Sequence, residues 1–198
     1  MLYIKKNQIW LLAVNAIYLL LATIYYVSRE NYEFIMYVGI VILLFFLILA
    51  TNKRVNYPNI ILIGLTMWGA MHMLGGVKIG DSVIYSKILI NFIGEPYNIL
   101  KYDQFVHLFG FGVATLAMFV LLKPFLEFPI KRWTSISILI IMAGFGVGAL
   151  NEMIEFTATV LVPETGVGGF INTSLDLVAD FIGAIFAMGY IWIKKGKI

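Results

Sequence analysis

Apolar residues in this chain gather into long runs broken by short polar stretches, without the polar face that a water-soluble helix keeps. A hydrocarbon core of about 30 Å takes about 20 helical residues to cross. Six runs approach that length: Ile9–Val27, Phe34–Ala50, Pro58–Gly75, Asp103–Leu122, Trp133–Leu161 and Ser174–Ile193. The pattern predicts an all-α polytopic membrane protein with six transmembrane helices. Lys5 and Lys6 ahead of the first run imitate a secretory signal. The apolar part is too long for one, however, and the bulky IYYVSRE that follows offers no small-residue cleavage site. The first run is therefore expected to remain as a span.

Composition agrees with the pattern. Of 198 residues, 61% are hydrophobic and 13% charged, against about 25% charged in soluble domains. One water-soluble core could not hide that much apolar surface. The net charge of +3 is scattered at the ends of apolar runs, so it is no nucleic-acid signal. The absence of cysteine removes disulfides, thiolate metal sites and cysteine nucleophiles.

Lysine and arginine in the connections give an orientation. With the N-terminus inside, ten basic residues face the cytoplasm: Lys5, Lys6, Lys53, Arg54, Lys123, Lys131, Arg132, Lys194, Lys195 and Lys197. Four face outward: Arg29, Lys78, Lys87 and Lys101. The expectation is N-in and C-in, a multi-pass protein of the cell's inner (plasma) membrane with the lipid bilayer as its first partner. Residues 1–198 are read as a single membrane domain, in which 1–57 supply two supporting spans and 58–198 a four-span bundle. Small residues repeat in the later spans, as in Gly144 with Gly148 and Gly183 with Ala187, a spacing that lets helices approach closely in lipid.

Two outer connections stand out. In Val77–Tyr102, Asp81 or Ser82 can cap a short helix, Gly94 can end it, and Pro96 prevents its continuation. Ile84, Ile88, Leu89 and Phe92 would share one face of that helix, lying in the interface or over the site; the other expectation is an apolar loop packed on the bundle. The glycine-rich PETGVGGFINTS reads as a tight re-entry into the last span.

The candidate chemistry lies inside the apolar runs. Asp103 and His107, four residues apart, share a helix face. Glu152 with Glu155 and Asp176 with Asp180 form two more pairs, and His72 ends the third run. The predicted topology puts all seven at the extracytoplasmic face. Ionisable groups in spans are costly and mark function by default. Each has a blander role to set beside that: Asp103 as a helix cap, Thr173-x-x-Asp176 as a capping box, Glu155 reaching for headgroups. His107, Glu152 and Asp180 sit deeper and are harder to account for in that way.

Two like charges about 5 Å apart repel by roughly 3 kcal/mol at an effective dielectric of 20. Five carboxylates in one pocket therefore need a bound cation, retained protons or a basic loop folded over them. Imidazole with carboxylate suits zinc, manganese or iron, so the candidate ligands are His72, Asp103, His107, Glu152, Glu155, Asp176 and Asp180. There is no G-x-S-x-G elbow, and no arginine in the outer halves of spans three to six. Acid–base chemistry remains, with His107, Glu152 and Asp180 as candidate catalytic groups and a metal-activated water as an option.

Spans three to six carry H-x-x-G-G, Y-D-x-x-x-H-x-x-G, N-E-x-x-E and D-x-x-x-D-x-x-G-A in that order. This series resembles the YjdF-type bacterial inner-membrane proteins and, more distantly, the VanZ-like family. Asp103 and His107 match the first VanZ-like element, Glu152 the acidic one, and Asp176 with Gly183 the last. Asp180 stands where VanZ-like proteins usually carry asparagine, and Glu155 where many carry glutamine. The resemblance implies a membrane protein facing the cell envelope. Three functions follow as expectations: an enzyme acting on an envelope lipid or lipid-linked molecule, a non-catalytic binder of a lipid headgroup or glycopeptide-like ligand, or an ion- or proton-coupled transporter. The last ranks lowest, since transporters place their sites at the midplane.

Overall fold

The computed structural model describes residues 3–198. Helices occupy nearly the places the apolar runs predict: α1 (Ile9–Val27), α2 (Tyr32–Val55), α3 (Asn59–Gly75), α4 (Tyr102–Leu122), α5 (Trp133–Leu161) and α6 (Phe170–Ile193). Five of them are long and apolar enough to cross a membrane by length and composition. The exception is α3, whose 17 residues extend about 25 Å at 1.5 Å per residue.

The connection before α4 differs from expectation. It forms two antiparallel hairpins, β1 (Lys78–Ile79) with β2 (Ser82–Val83) and β3 (Ile88–Ile93) with β4 (Ile99–Lys101). The expected interfacial helix is absent, and a single tight turn over Ile84–Ser86 stands in its place. Isoleucines at 88, 90, 93 and 99 favour extended backbone, and Asn98 closes the second hairpin with φ of 49°. Packing against the bundle is also overturned for β3, because all six of its residues are exposed.

The chain divides into two compact units. The first comprises residues 1–86 and 155–167, and in it α3 packs on α1 and α2. Its interior polar groups link helices, as they must where no water is at hand. Asn15 donates to Thr66 Oγ1 at 2.8 Å and accepts from the Tyr18 hydroxyl at 2.9 Å. Nearer the other end, Asn52 donates to Gln8 Oε1 at 3.0 Å, and Gln8 donates to Asn59 Oδ1 at 2.9 Å. Glu33, buried in the first turn of α2, accepts the Gly166 N–H at 2.6 Å and so anchors the segment that follows α5.

The second unit comprises residues 87–154 and 168–198. Its core is the α4–α6 pair, the most extensive packing in the chain. Gly112 and Gly183 make that approach possible: a Cβ on Gly183 would collide with the Leu108 carbonyl oxygen, and one on Gly112 would lie 3.2 Å from the Gly183 oxygen. Gly148 brings α5 in the same way, since a Cβ there would strike the Asp180 carboxylate. Glycine here puts backbone against backbone, and a carboxylate against a helix surface.

Candidate functional site

Within the second unit, α4, α5 and α6 bring polar side chains together between apolar neighbours. His107 is 3% exposed. Its Nδ1 lies 3.0 Å from Asp180 Oδ1 on α6 and 3.7 Å from Glu152 Oε1 on α5. Its Nε2 lies 3.9 Å from Asp103 Oδ1, one turn back on α4. The close contact makes Nδ1 the donor to Asp180 in a neutral imidazole, so the Nε2 lone pair faces the Asp103 side. Asn172, near the start of α6, donates to Asp103 Oδ2 at 3.1 Å and to Asp176 Oδ2.

The blander roles for two of these residues do not hold. Helix α6 starts at Phe170, with Gly169 as its N-cap, so Thr173 caps nothing and Asp176 lies in the second turn, fully buried. Helix α4 is capped at Lys101, whose N–H is taken by the Gln104 side chain at 3.0 Å. Asp103 is thus left to interact with Asn172 and His107.

The charge balance is lopsided. Asp103, Glu152, Asp176 and Asp180 lie on three helices that contain no lysine or arginine. One imidazole, even doubly protonated, offsets one carboxylate. Asp180 Oδ2 and both Glu152 oxygens are buried with no hydrogen-bond partner among the described residues, an arrangement that is costly unless something completes it.

A metal ion fits this chemistry. Asp103, His107 and Asp176 each offer one ligand atom, all within 4.8 Å of one another. One imidazole with two carboxylates is a donor set that divalent ions take. Asp180 on the ring nitrogen away from Asp103 matches the carboxylate–histidine–metal pattern, in which the outer carboxylate fixes the tautomer.

Five of the seven sequence candidates therefore lie in this unit, at Asp103, His107, Glu152, Asp176 and Asp180. The other two fall in the first unit. His72 has the Tyr85 hydroxyl at its Nδ1 and the Trp68 ring stacked 5.6 Å away. Glu155, half-buried, is three residues beyond Glu152 on α5. Asn172 was not among the candidates, although it precedes Asp176 by four residues and so shares its helix face, a signal present in the sequence. Glu33 carried no such signal, since its partner is a backbone N–H distant in sequence.

A family signature described as "Predicted membrane protein (DUF2238)" matches residues 8–197, and the chain belongs to that family. This agrees with the YjdF-type resemblance, whereas the VanZ-like relation has no corresponding match. No curated protein and no solved structure matches the chain.

Proposed function

We propose that this member of the membrane-protein family is a divalent-cation-dependent enzyme, acting at the extracytoplasmic leaflet on an envelope lipid or lipid-linked molecule. One observation carries the reading: four carboxylates converge on a single buried imidazole in helices without a basic residue. Asp103, His107 and Asp176 would hold the ion. When bound, it supplies a Lewis acid and a water acidic enough to react near neutral pH.

The protein's own groups have separable tasks. Asp180 takes the Nδ1 proton of His107 in a hydrogen bond and sets the ring's orientation. Asn172 holds Asp103 and Asp176 at a fixed separation. Glu152, a buried carboxylate 3.7 Å from Nδ1, is the group to accept a proton from a substrate hydroxyl on that side of the ring, away from the ion that Nε2 would face. That spare base favours an enzyme over a pure binding protein. The charge-free inner halves of α4, α5 and α6 count against transport.

The reading takes all six helices as spans of the plasma membrane, N-in and C-in, which the ten-to-four distribution of basic residues supports. The short α3 would cross with local thinning of the bilayer, at a modest cost per ångström of mismatch.

Metal analysis of the purified full chain tests the proposal. A near-stoichiometric divalent ion is expected, removed by chelation and lost in His107→Ala and Asp176→Ala. A wild-type protein that takes up no zinc, manganese or iron, even when each is supplied, would overturn it.

A further inference from the structure

The hairpin ahead of α4 carries an uncovered apolar surface. Ile88, Leu89, Ile90, Phe92 and Ile93 are 47, 48, 53, 68 and 54% exposed. An exposed strand that is apolar at every position but Asn91 marks an interaction surface. Its position is constrained, because β4 runs into α4 without a linker and the Tyr102 N–H donates to the Lys87 carbonyl at 2.8 Å. The base of the hairpin is thus tied to the first residue of a helix long and apolar enough to span a membrane.

Its polar groups are ordered along its length. Lys101 pairs across the sheet with Ile88, next to Lys87, so two lysines stand at the base. Glu95 and Asn98 lie at the tip. An apolar body between a cationic base and a polar tip suits a hairpin lying along a bilayer surface. The backbone limits its depth. The sheet has two strands, so one edge of β3 is unpaired, and unpaired N–H and C=O groups are not tolerated in the hydrocarbon core. Headgroups and interfacial water can satisfy them.

We infer that the β3–β4 hairpin is a membrane-seated element. The Ile90 and Phe92 side chains, two residues apart on β3 and so on one face, enter the acyl boundary of the leaflet where α4 begins, and Lys87 and Lys101 meet lipid phosphates. This goes beyond the cation-site reading and does not depend on it. It rests on α4 being a span. Asp103 follows Lys101 by two residues, so the same seating holds the outer end of the acidic cluster at headgroup depth.

The absence of cysteine makes the test direct. Phe92→Cys, Ile90→Cys and Glu95→Cys variants of the full chain are labelled singly with a polarity-sensitive fluorophore. Each is then reconstituted in phosphatidylethanolamine–phosphatidylglycerol vesicles. At positions 92 and 90 the label should lose most of its emission to lipids bearing a nitroxide high on the acyl chain, and little to aqueous iodide. At 95, in the tip, iodide should be the stronger quencher. Quenching of 92 and 90 by iodide alone would show that the hairpin stands in water. Quenching by neither would show that a second copy or another protein covers it. Either result overturns the inference.

Discussion

His107 Nδ1 stands 3.0 Å from Asp180 Oδ1, and the two residues are 73 positions apart in the chain. The contact joins α4 to α6 at the one imidazole around which Asp103, Glu152 and Asp176 gather. Groups acting as a unit are non-additive. His107→Ala should abolish most metal binding or activity, and Asp180→Asn should weaken it less, because it leaves the proposed ligands in place. The double variant should be hardly worse than His107→Ala. A double-mutant cycle on metal affinity measures this, and simple additivity would mean that the contact serves packing alone.

Glu152, 3.7 Å from His107 Nδ1, should act on turnover and not on metal affinity. Glu152→Ala leaves Asp103, His107 and Asp176 intact, so metal content should persist while turnover of a lipid substrate falls by a factor of about 10²–10⁴, the usual worth of a general base. Parallel metal analysis and activity measurement separate the two roles. Loss of the metal in Glu152→Ala would make Glu152 a ligand instead.

Asn172 bridges Asp103 and Asp176. Asn172→Leu removes both hydrogen bonds at similar volume and should reduce metal affinity about 10–100-fold, as loss of an outer partner typically does. Titration with the metal alone reads the effect. Unchanged affinity would mean that the two carboxylates hold their places without it.

Close packing around the site makes the glycines sensitive. Gly183→Ala sets a methyl against the Leu108 carbonyl, and Gly148→Leu drives a side chain into Asp180. Each should cost about 1–3 kcal/mol or more, in line with overpacking elsewhere. Thermal unfolding in detergent should show it as a clear drop in midpoint. An unchanged midpoint for Gly183→Ala would mean that α4 and α6 can separate freely at this level.

The orientation has its own test. Reporter fusions after Arg54, Arg132 and Lys197 should read as cytoplasmic, and fusions near Glu30, Ser86 and Gly168 as external. The decisive comparison is Arg54 against Ser86, which brackets the 17-residue α3. The same location for both would show that α3 does not cross and would invert every later span.

The apolar runs determined where each helix lies, although α2 (Tyr32–Val55) extends past the expected Phe34–Ala50 at both ends and α6 starts four residues before the expected Ser174. Trp133–Leu161 is the same in both readings, and α4 begins one residue before the expected Asp103. In lipid the backbone must satisfy itself, so a long apolar run has little choice but to be helical. The sequence alone also marked Asp103, His107, Glu152, Asp176 and Asp180, since charge in such a run is conspicuous. Short polar connections carry no such constraint. The isoleucine-rich segment before α4 had the spacing of a helix face yet paired as a hairpin, because β-branched residues and a turn at Asn98 outweigh a weak periodicity. Tertiary structure alone decided that α3 packs with α1 and α2, that Glu33 holds Gly166, and that Asn172 joins two aspartates. Those outcomes depend on which helix faces meet, and a nearly uniform apolar surface leaves that choice to close packing at small residues such as Gly112, Gly148 and Gly183.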